Sequence, residues 1–206
     1  MAQVSNNHYH FKRYANVGRF ASYYYQLREI FATNPTSLLE IGAGDGVVGD
    51  YLRRQRGITY TSVDYAPDTK PDVVADVRAL PFAAASFDVT CAFEVLEHLP
   101  FDDFEKSLSE LARVARTHVL ISVPHFGPPV KFCLKMPFIP EITFAFKIPF
   151  PRTHVFNGQH YWEIGKKGYP LSRVLTVMRK YGTVTKHFVP LENQYHHFFV
   201  IEKKTI

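Results

Sequence analysis

Residues 38–46, LLEIGAGDG, join a short apolar run to a turn that holds three glycines in five positions. The apolar run predicts a buried strand, and DGVVGDYLRRQ at 45–55 predicts the helix that follows it. Glycines accept backbone conformations that other residues avoid and keep side chains away from a ligand. In an open α/β sheet, the turn after the first strand comes nearest to the ligand. The stretch therefore predicts a strand, turn and helix that together bind a ligand.

Strands and helices alternate through most of the chain, with strands predicted at ITYTSVD (58–64), DVVAD (72–76) and THVLISVP (117–124). This alternation predicts parallel βαβ units in a doubly wound α/β fold. At the end, YGTVTKHFVP and YHHFFVIEKK are separated only by LENQ, which is too short for a crossover helix. The last two strands should therefore form an antiparallel hairpin at the edge of a mostly parallel sheet.

Three features of the glycine turn narrow the choice of nucleotide. Asp64 ends the second strand, twenty residues beyond Gly44, where a carboxylate can accept hydrogen bonds from both ribose hydroxyls. The third glycine of a dinucleotide fingerprint is replaced by Val47. The negative charge of Glu40 disfavours a pyrophosphate and suits an ammonium or sulfonium group. S-adenosylmethionine carries the ribose and both cations.

Four stretches in order resemble the class I S-adenosylmethionine-dependent methyltransferases, in their small-molecule branch. They are LLEIGAGDG, SVDYAP, ADVRALPFAAASFDVT and FEVLEHLP, and the resemblance covers about residues 36–124. It implies a Rossmann-like sheet of seven strands and S-adenosylmethionine as co-substrate. The cofactor-binding residues that it implies are Glu40, Gly42, Ala43 and Gly44 at the methionine part, Asp64 and Tyr65 at the ribose, Asp76 and Val77 at the adenine, and Glu94 beside the reacting centre.

Histidines are the candidate proton acceptors, because their ordinary pKa lies near neutral pH. His98 and His125 follow predicted strands at the ligand-binding edge, and His160 lies in GQHYWEIG. These three are the predicted catalytic residues. His196 and His197 alternate in the last strand and are predicted to be structural.

A divalent metal is the alternative use of EVLEHL at 94–99. Glu94, Glu97 and His98 offer two carboxylates and an imidazole, a set that some O-methyltransferases of the family use. The same phrase occurs in relatives without a metal, so no metal is predicted.

Residues 126–153 interleave phenylalanines with lysines and prolines. Insertions at this point of the fold cover the substrate, and the prolines are expected to break any long regular element. We therefore predict a flap insertion at about 125–160, serving as a lid over an apolar acceptor or, through residues 126–152, as a peripheral membrane contact. A structural flap that extends the core is equally compatible. The N-terminal tyrosines are expected to pack against this flap as a second wall of the pocket: Tyr9, Tyr14, Tyr23, Tyr24 and Tyr25.

Composition predicts one domain over residues 1–206, with 46% hydrophobic and 21% charged residues and an aromatic helical segment at about 8–34. The first residues resemble neither a signal nor a transit peptide, and the two cysteines suit a reducing compartment, so a soluble, cytoplasmic protein is expected. Residues 125–206 hold 12 Lys/Arg against 4 Asp/Glu. Such a basic region can face phosphates or an anionic membrane.

The predicted function is methyl transfer from S-adenosylmethionine to a small apolar or aromatic acceptor, with oxygen preferred because several histidines can accept a proton. One alternative is an RNA methyltransferase, which the basic, aromatic C-terminal third favours and the lack of room for a separate RNA-binding domain disfavours. Another is a cofactor-binding protein of this fold without turnover. The oligomeric state stays open.

Overall fold

The computed structural model describes residues 14–204, which contain nine strands. Seven of them form one sheet and two form a separate hairpin. The strands are β1 (Ser37–Ile41), β2 (Thr59–Asp64), β3 (Val73–Val74), β4 (Phe87–Phe93), β5 (Ala115–Pro124), β6 (Pro129–Met136), β7 (Ile139–Lys147), β8 (Gly182–Phe188) and β9 (His196–Lys203).

The sheet has the order β3-β2-β1-β4-β5-β9-β8. The strands from β1 to β5 pair in parallel, whereas β9 runs antiparallel to both β5 and β8. This arrangement confirms the predicted doubly wound sheet with a C-terminal antiparallel hairpin. The carboxyl ends of β1, β2, β4 and β5 therefore meet at one edge, where open α/β sheets bind their ligands.

Four α-helices lie among residues 14–204: α1 (Val17–Ala32), α2 (Val47–Arg53), α3 (Phe101–Val114) and α4 (Leu171–Met178). The side chain of Asn16 caps α1 by accepting a hydrogen bond from the Arg19 amide at 2.9 Å. Asp102 and Asp103 lie in the first turn of α3, where a negative charge favours helix formation. The part of the predicted N-terminal segment before residue 14 lies outside the described residues.

Both faces of the sheet are buried, as a parallel sheet covered by helices requires. In β1, Leu39 and Ile41 belong to one apolar cluster, with Phe104 of α3, while Leu38 belongs to a second cluster, with Phe198 of β9. Alternate side chains of a strand point to opposite faces, which explains the continuous apolar run in the sequence.

Residues 129–147 of the flap form two regular strands, so the expectation that prolines would break any long regular element is wrong for this part. Strands β6 and β7 pair as an antiparallel hairpin that we call the β6–β7 hairpin. Pro129 is the first residue of β6, Pro137 lies in the turn, and Pro140 sits beside an irregularity in the register. Strands tolerate proline at such positions, where its missing N–H breaks no interior pairing.

Helix α1 packs against the glycine turn and the C-terminal hairpin, through Tyr23 and Tyr25, two of the tyrosines expected at the flap. The Tyr23 hydroxyl donates to Asp45 Oδ2 at 2.5 Å. The Tyr25 hydroxyl donates to Glu192 Oε2 at 2.7 Å, and its ring packs on Phe188. Tyr9 lies outside the described residues. The helix thus braces the ligand-binding turn.

No helix within the described range, 14–204, has the length and apolar character needed to cross a membrane.

The turn after β1 gives a direct test of the fold. Gly42 has φ +75°, and a Cβ added there would lie 2.3 Å from Val95 Cγ2. We expect Gly42→Ala to lower the free energy of unfolding by about 2–4 kcal/mol, from the left-handed backbone and the overlap together. Chemical denaturation measures this change.

Gly57 supplies the matched control. It also has positive φ, at +90°, but a Cβ there would meet nothing within 4 Å. Gly57→Ala should therefore cost only the backbone penalty of about 1 kcal/mol. Equal losses in the two variants would contradict a close approach between Gly42 and Val95.

Candidate active site

A cavity of about 440 Å³ opens at the carboxyl ends of β1, β2 and β4. Six of the nine predicted cofactor-binding residues line it: Gly42, Asp64, Tyr65, Asp76, Val77 and Glu94. His98 and Tyr161 lie on the same wall. The structure thus brings residues from four separate stretches of sequence together around one space.

Only the first residue of the glycine turn, Gly42, lines this cavity. The Gly42 amide donates to the Val63 carbonyl at 2.7 Å, which fixes the turn against β2. Gly42, Gly44 and Gly46 all have φ between +57° and +76°. Ala43 and Gly44 shape the turn without lining the cavity. Their predicted contact with the cofactor stays a prediction.

Glu40 is buried in the core beneath the turn. It accepts a hydrogen bond from the Tyr60 hydroxyl, and burial raises its pKa to about 7. Gly49 of α2 makes room for this pair, because a Cβ there would lie 2.5 Å from the Tyr60 oxygen. The structure therefore places Glu40 against Tyr60, away from the cavity wall where sequence analysis put it.

Two carboxylates on the wall are held in fixed orientations. Asp64 Oδ1 accepts from the Ala66 amide at 2.8 Å, and burial raises the pKa of Asp64. Asp76 Oδ2 accepts from Arg78 Nη2 at 2.6 Å, and this contact lowers the pKa of Asp76. Arg78 also reaches Asp103 of α3 at 2.9 Å. Sequence analysis missed Arg78, although its position two residues after Asp76 is visible in ADVR.

Glu94 lines the cavity at the end of β4. It directly follows β4 with φ +55°, a strained conformation for a residue with a side chain. Its amide donates to the Ser122 carbonyl at 2.9 Å, and burial raises the pKa of its carboxyl to about 8. His196 Nε2 lies 3.4 Å from Glu94 Oε2. Burial therefore favours the neutral form of this carboxyl group on the cavity wall.

Sequence analysis called His196 structural and missed its place beside Glu94. The register pairs His196 with Pro124, the last residue of β5. Because β9 is antiparallel to β5, the first residue of β9 lies at the ligand-binding edge. The double histidine at the start of a predicted antiparallel strand was the available signal.

Glu97, His98 and His160 form a cluster next to Glu94. Glu97 Oε1 lies 3.9 Å from His98 Nε2 and 4.0 Å from His160 Nε2. Glu97 is completely buried, and burial together with the charge of Glu94 raises its pKa well above the usual range. The ligand atoms of the three residues lie within 4.8 Å of one another, close enough to hold a metal ion.

The imidazoles of this cluster are oriented through their Nδ1 atoms. His98 Nδ1 lies 3.1 Å from the Gln159 carbonyl, and His160 Nδ1 lies 3.3 Å from Glu163 Oε1. Glu163 is held in turn by the Tyr195 hydroxyl at 2.7 Å. His98 and His160 are 62 positions apart in sequence, yet their ring centroids are 5.0 Å apart.

Comparisons with known proteins agree with this geometry. Residues 39–122 match the family model described as a methyltransferase domain. Within these residues the chain therefore carries a methyltransferase domain. S-adenosylmethionine is its co-substrate, and the matched residues include the glycine turn, Asp64, Asp76, Glu94 and His98.

Solved structures with the same fold cover nearly the whole chain. The N-methyltransferase NodS from Bradyrhizobium japonicum WM9, in complex with S-adenosyl-L-homocysteine, has a TM-score of 0.61 and 12% identity over 92% of this chain and 89% of its own. Magnesium protoporphyrin IX methyltransferase from Synechocystis PCC 6803, with bound SAM, has a TM-score of 0.58 and 12% identity, and the match covers 91% of this chain and 81% of its own. A 1,6-didemethyltoxoflavin-N1-methyltransferase from Burkholderia thailandensis has a TM-score of 0.56 and 19% identity, and the match covers 91% of this chain and 86% of its own. A search of the curated proteins gives no match.

The third predicted catalytic residue, His125, lies apart from the cofactor cavity of the methyltransferase domain. It stacks on His197 with ring centroids 5.1 Å apart, and His197 Nε2 lies 3.1 Å from His187 Nδ1. His125 lines a second cavity of about 850 Å³ at the base of the β6–β7 hairpin. Its catalytic role stays a prediction.

The stacked histidines predict a pH dependence for the stability of the methyltransferase domain. Burial lowers the pKa of His197 to about 2 and that of His125 to about 4, from the usual 6.5. The unfolded chain therefore binds more protons below pH 6.5, and these histidines lower the free energy of unfolding as pH falls from 6.5 towards 4. We expect His197→Phe to reduce this slope by up to about 1.4 kcal/mol per pH unit. Denaturation at a series of pH values measures it.

Phe199 offers the control for this experiment, because its ring stacks on His197 at 4.4 Å and carries no titrating group. Phe199→Leu should lower stability at every pH and leave the slope unchanged. A slope that is the same in wild type and His197→Phe would contradict the assignment.

Proposed function

We propose that the chain methylates an oxygen of a small apolar or aromatic acceptor. The observation that carries this proposal is the cluster of His98 and His160 with Glu97, at the end of the cavity that Asp64 and Asp76 line. A hydroxyl must lose a proton to become a good nucleophile, whereas an amine that arrives neutral need not. A site rich in oriented imidazoles therefore favours oxygen over nitrogen.

The reaction itself needs position more than chemical activation, because the methyl group of the sulfonium is already electrophilic. The acceptor oxygen forms a bond to the methyl carbon while the carbon–sulfur bond breaks. The electron pair of the broken bond stays on sulfur, which leaves as a neutral thioether. The hydroxyl proton passes to an imidazole. Holding the oxygen in line with the leaving sulfur supplies much of the rate.

His160 is our candidate for the proton acceptor. Its Nδ1 faces the Glu163 carboxylate, whose pKa stays below the usual range through its hydrogen bonds to His160 and Tyr195 despite burial. With the Nδ1 proton donated to Glu163, Nε2 carries the lone pair that receives the proton of the acceptor. Glu163 then acts as the orienting residue and stabilises the charged imidazolium.

A divalent metal held by Glu97, His98 and His160 is the second candidate for acceptor activation. Among the described residues, neither oxygen of the Glu97 carboxyl has a hydrogen-bond partner. A cation would satisfy this buried group, and the carboxylate behind His160 Nδ1 is the arrangement that supports imidazole ligands. A bound metal would lower the pKa of the acceptor hydroxyl. If chelation removes activity, the metal-free site predicted from the sequence is wrong and this candidate takes its place.

The proposal predicts separate effects on binding and chemistry. We expect His160→Ala to lower the rate of methyl transfer by about 10²–10⁴-fold. Binding of S-adenosylmethionine should stay unchanged, because His160 is not among the residues that line the cofactor cavity. The readouts are transfer of labelled methyl groups into metabolite and lipid extracts, and calorimetry of the cofactor.

His118→Ala is the matched control, since His118 lies near the start of β5, far along the strand from the ligand-binding edge. Loss of transfer on chelation, restored by one divalent ion, would select the metal. Full activity of His160→Ala would exclude His160 as the proton acceptor and would favour a nitrogen atom as the acceptor of the methyl group. Cofactor binding without transfer would favour the non-catalytic alternative, and transfer into RNA would favour the RNA methyltransferase.

A further inference from the structure

One side of the β6–β7 hairpin is entirely apolar. The register pairs Val130 with Phe146, Phe132 with Phe144, and Leu134 with Ile142, so these six side chains share a face. Their exposed fractions run from 38% to 57%. The rest of the described chain therefore leaves this face largely uncovered.

The tip of the hairpin continues the apolar face. Phe138 occupies the turn with φ +66° and is fully exposed. Met136 and Ile139 flank it and are exposed as well. A phenylalanine held outward at the end of a projecting hairpin contributes nothing to the core of the protein.

The opposite face of the hairpin is polar and basic. Lys131 pairs with Ala145 and Cys133 pairs with Thr143, while Lys135 lies on the same side of β6. Arg152 and Lys167 meet at the base, where the Lys167 amide donates to the Arg152 carbonyl at 2.8 Å. Lys131 and Lys135 therefore lie on one side of the hairpin, together with Glu141, which accepts from the Thr143 hydroxyl at 3.1 Å, and the apolar surface lies on the other side.

Such a hairpin is unsuited to water alone. A two-stranded hairpin without a covered apolar face is marginally stable at best, and a continuous exposed apolar patch marks an interaction site. The partner must offer an apolar layer beside a negatively charged one.

We propose that the β6–β7 hairpin docks the protein on the surface of an anionic lipid bilayer. The apolar face and Phe138 enter the boundary between headgroups and acyl chains, while Lys131 and Lys135 remain at the level of the anionic headgroups. Residues 125–206 hold 12 Lys/Arg and only 4 Asp/Glu, so this part of the chain carries a net positive charge that complements anionic headgroups. A second copy of the chain on this surface is disfavoured, because it would bring two sets of positively charged lysines together.

The position of the hairpin connects this surface to the active site. It begins at Pro129, five residues after Pro124, the last residue of β5, which pairs with His196 beside Glu94. The second cavity opens at its base and is lined by Phe126, Phe146, Ile148 and Phe150. An acceptor that partitions into the bilayer would meet an apolar cavity at the base of the hairpin. This last step rests on the proposed function, whereas the docking does not.

Cosedimentation of the full chain with vesicles tests the docking. We expect binding to vesicles of phosphatidylcholine with phosphatidylglycerol, and much weaker binding to phosphatidylcholine alone. Phe138→Asp should weaken binding at least about tenfold, from the lost burial of one aromatic side chain. The double variant Lys131→Gln/Lys135→Gln should weaken binding to the anionic vesicles only, and added salt should do the same.

Val17→Asp is the matched control, because Val17 is 84% exposed and begins α1, where an acidic residue is well tolerated. Its vesicle binding should equal that of wild type. Calorimetry of S-adenosylmethionine on the same samples reports the cofactor site, so a failure there concerns the methyltransferase and not the docking.

Two results would overturn the docking. One is the absence of wild-type binding to anionic vesicles, or equal binding by Phe138→Asp. The other is a concentration-dependent dimer in sedimentation velocity that Phe138→Asp abolishes, which would make the apolar face a contact between copies of the chain.

Discussion

The close approach of Gly42 to Val95 is the constraint on which the site depends. A side chain at Gly42 would overlap Val95 Cγ2, so the turn after β1 and the turn after β4 can touch only because residue 42 is glycine. This contact places Glu94 beside the glycine turn and sends the chain on towards Glu97 and His98. The cavity wall and the cluster of Glu97, His98 and His160 therefore lie on two sides of one backbone junction.

Burial then sets the chemistry of the charged groups around that junction. The carboxyls of Glu40, Glu94 and Glu97 all have raised pKa values, chiefly because burial penalises their charged forms. Asp76 is the opposite case, since the hydrogen bond from Arg78 lowers its pKa. The wall thus has Asp76, whose charged form is favoured, at one position and Glu94, whose neutral form is favoured by burial, at another. This contrast suits a ligand whose polar ribose and adenine lie at one end and whose reacting group lies at the other.

Sequence patterns predict the sheet well because each parallel strand leaves a local signature of apolar residues and turn glycines. They also place Asp64 and Asp76 at the edge of the sheet, since Asp64 ends β2 and Asp76 lies two residues after β3. They fail where two distant segments meet. Nothing local to His160 reveals its contact with His98, and the pairing of β5 with β9 must be known before His196 can be placed beside Glu94. The β6–β7 hairpin was missed because proline was read as a breaker, although each proline stands where a strand tolerates it.

The most direct test of this account is calorimetry of S-adenosylmethionine with wild type, Asp64→Ala and Asp50→Ala. The account predicts a dissociation constant on the order of 1 μM for wild type, about −8 kcal/mol. Asp64→Ala should bind at least about tenfold more weakly, because a charged hydrogen-bond acceptor is lost. Asp50→Ala, on the exposed side of α2, should bind like wild type. Absence of binding to wild type, or full affinity in Asp64→Ala, would contradict the placement of the cofactor in this cavity.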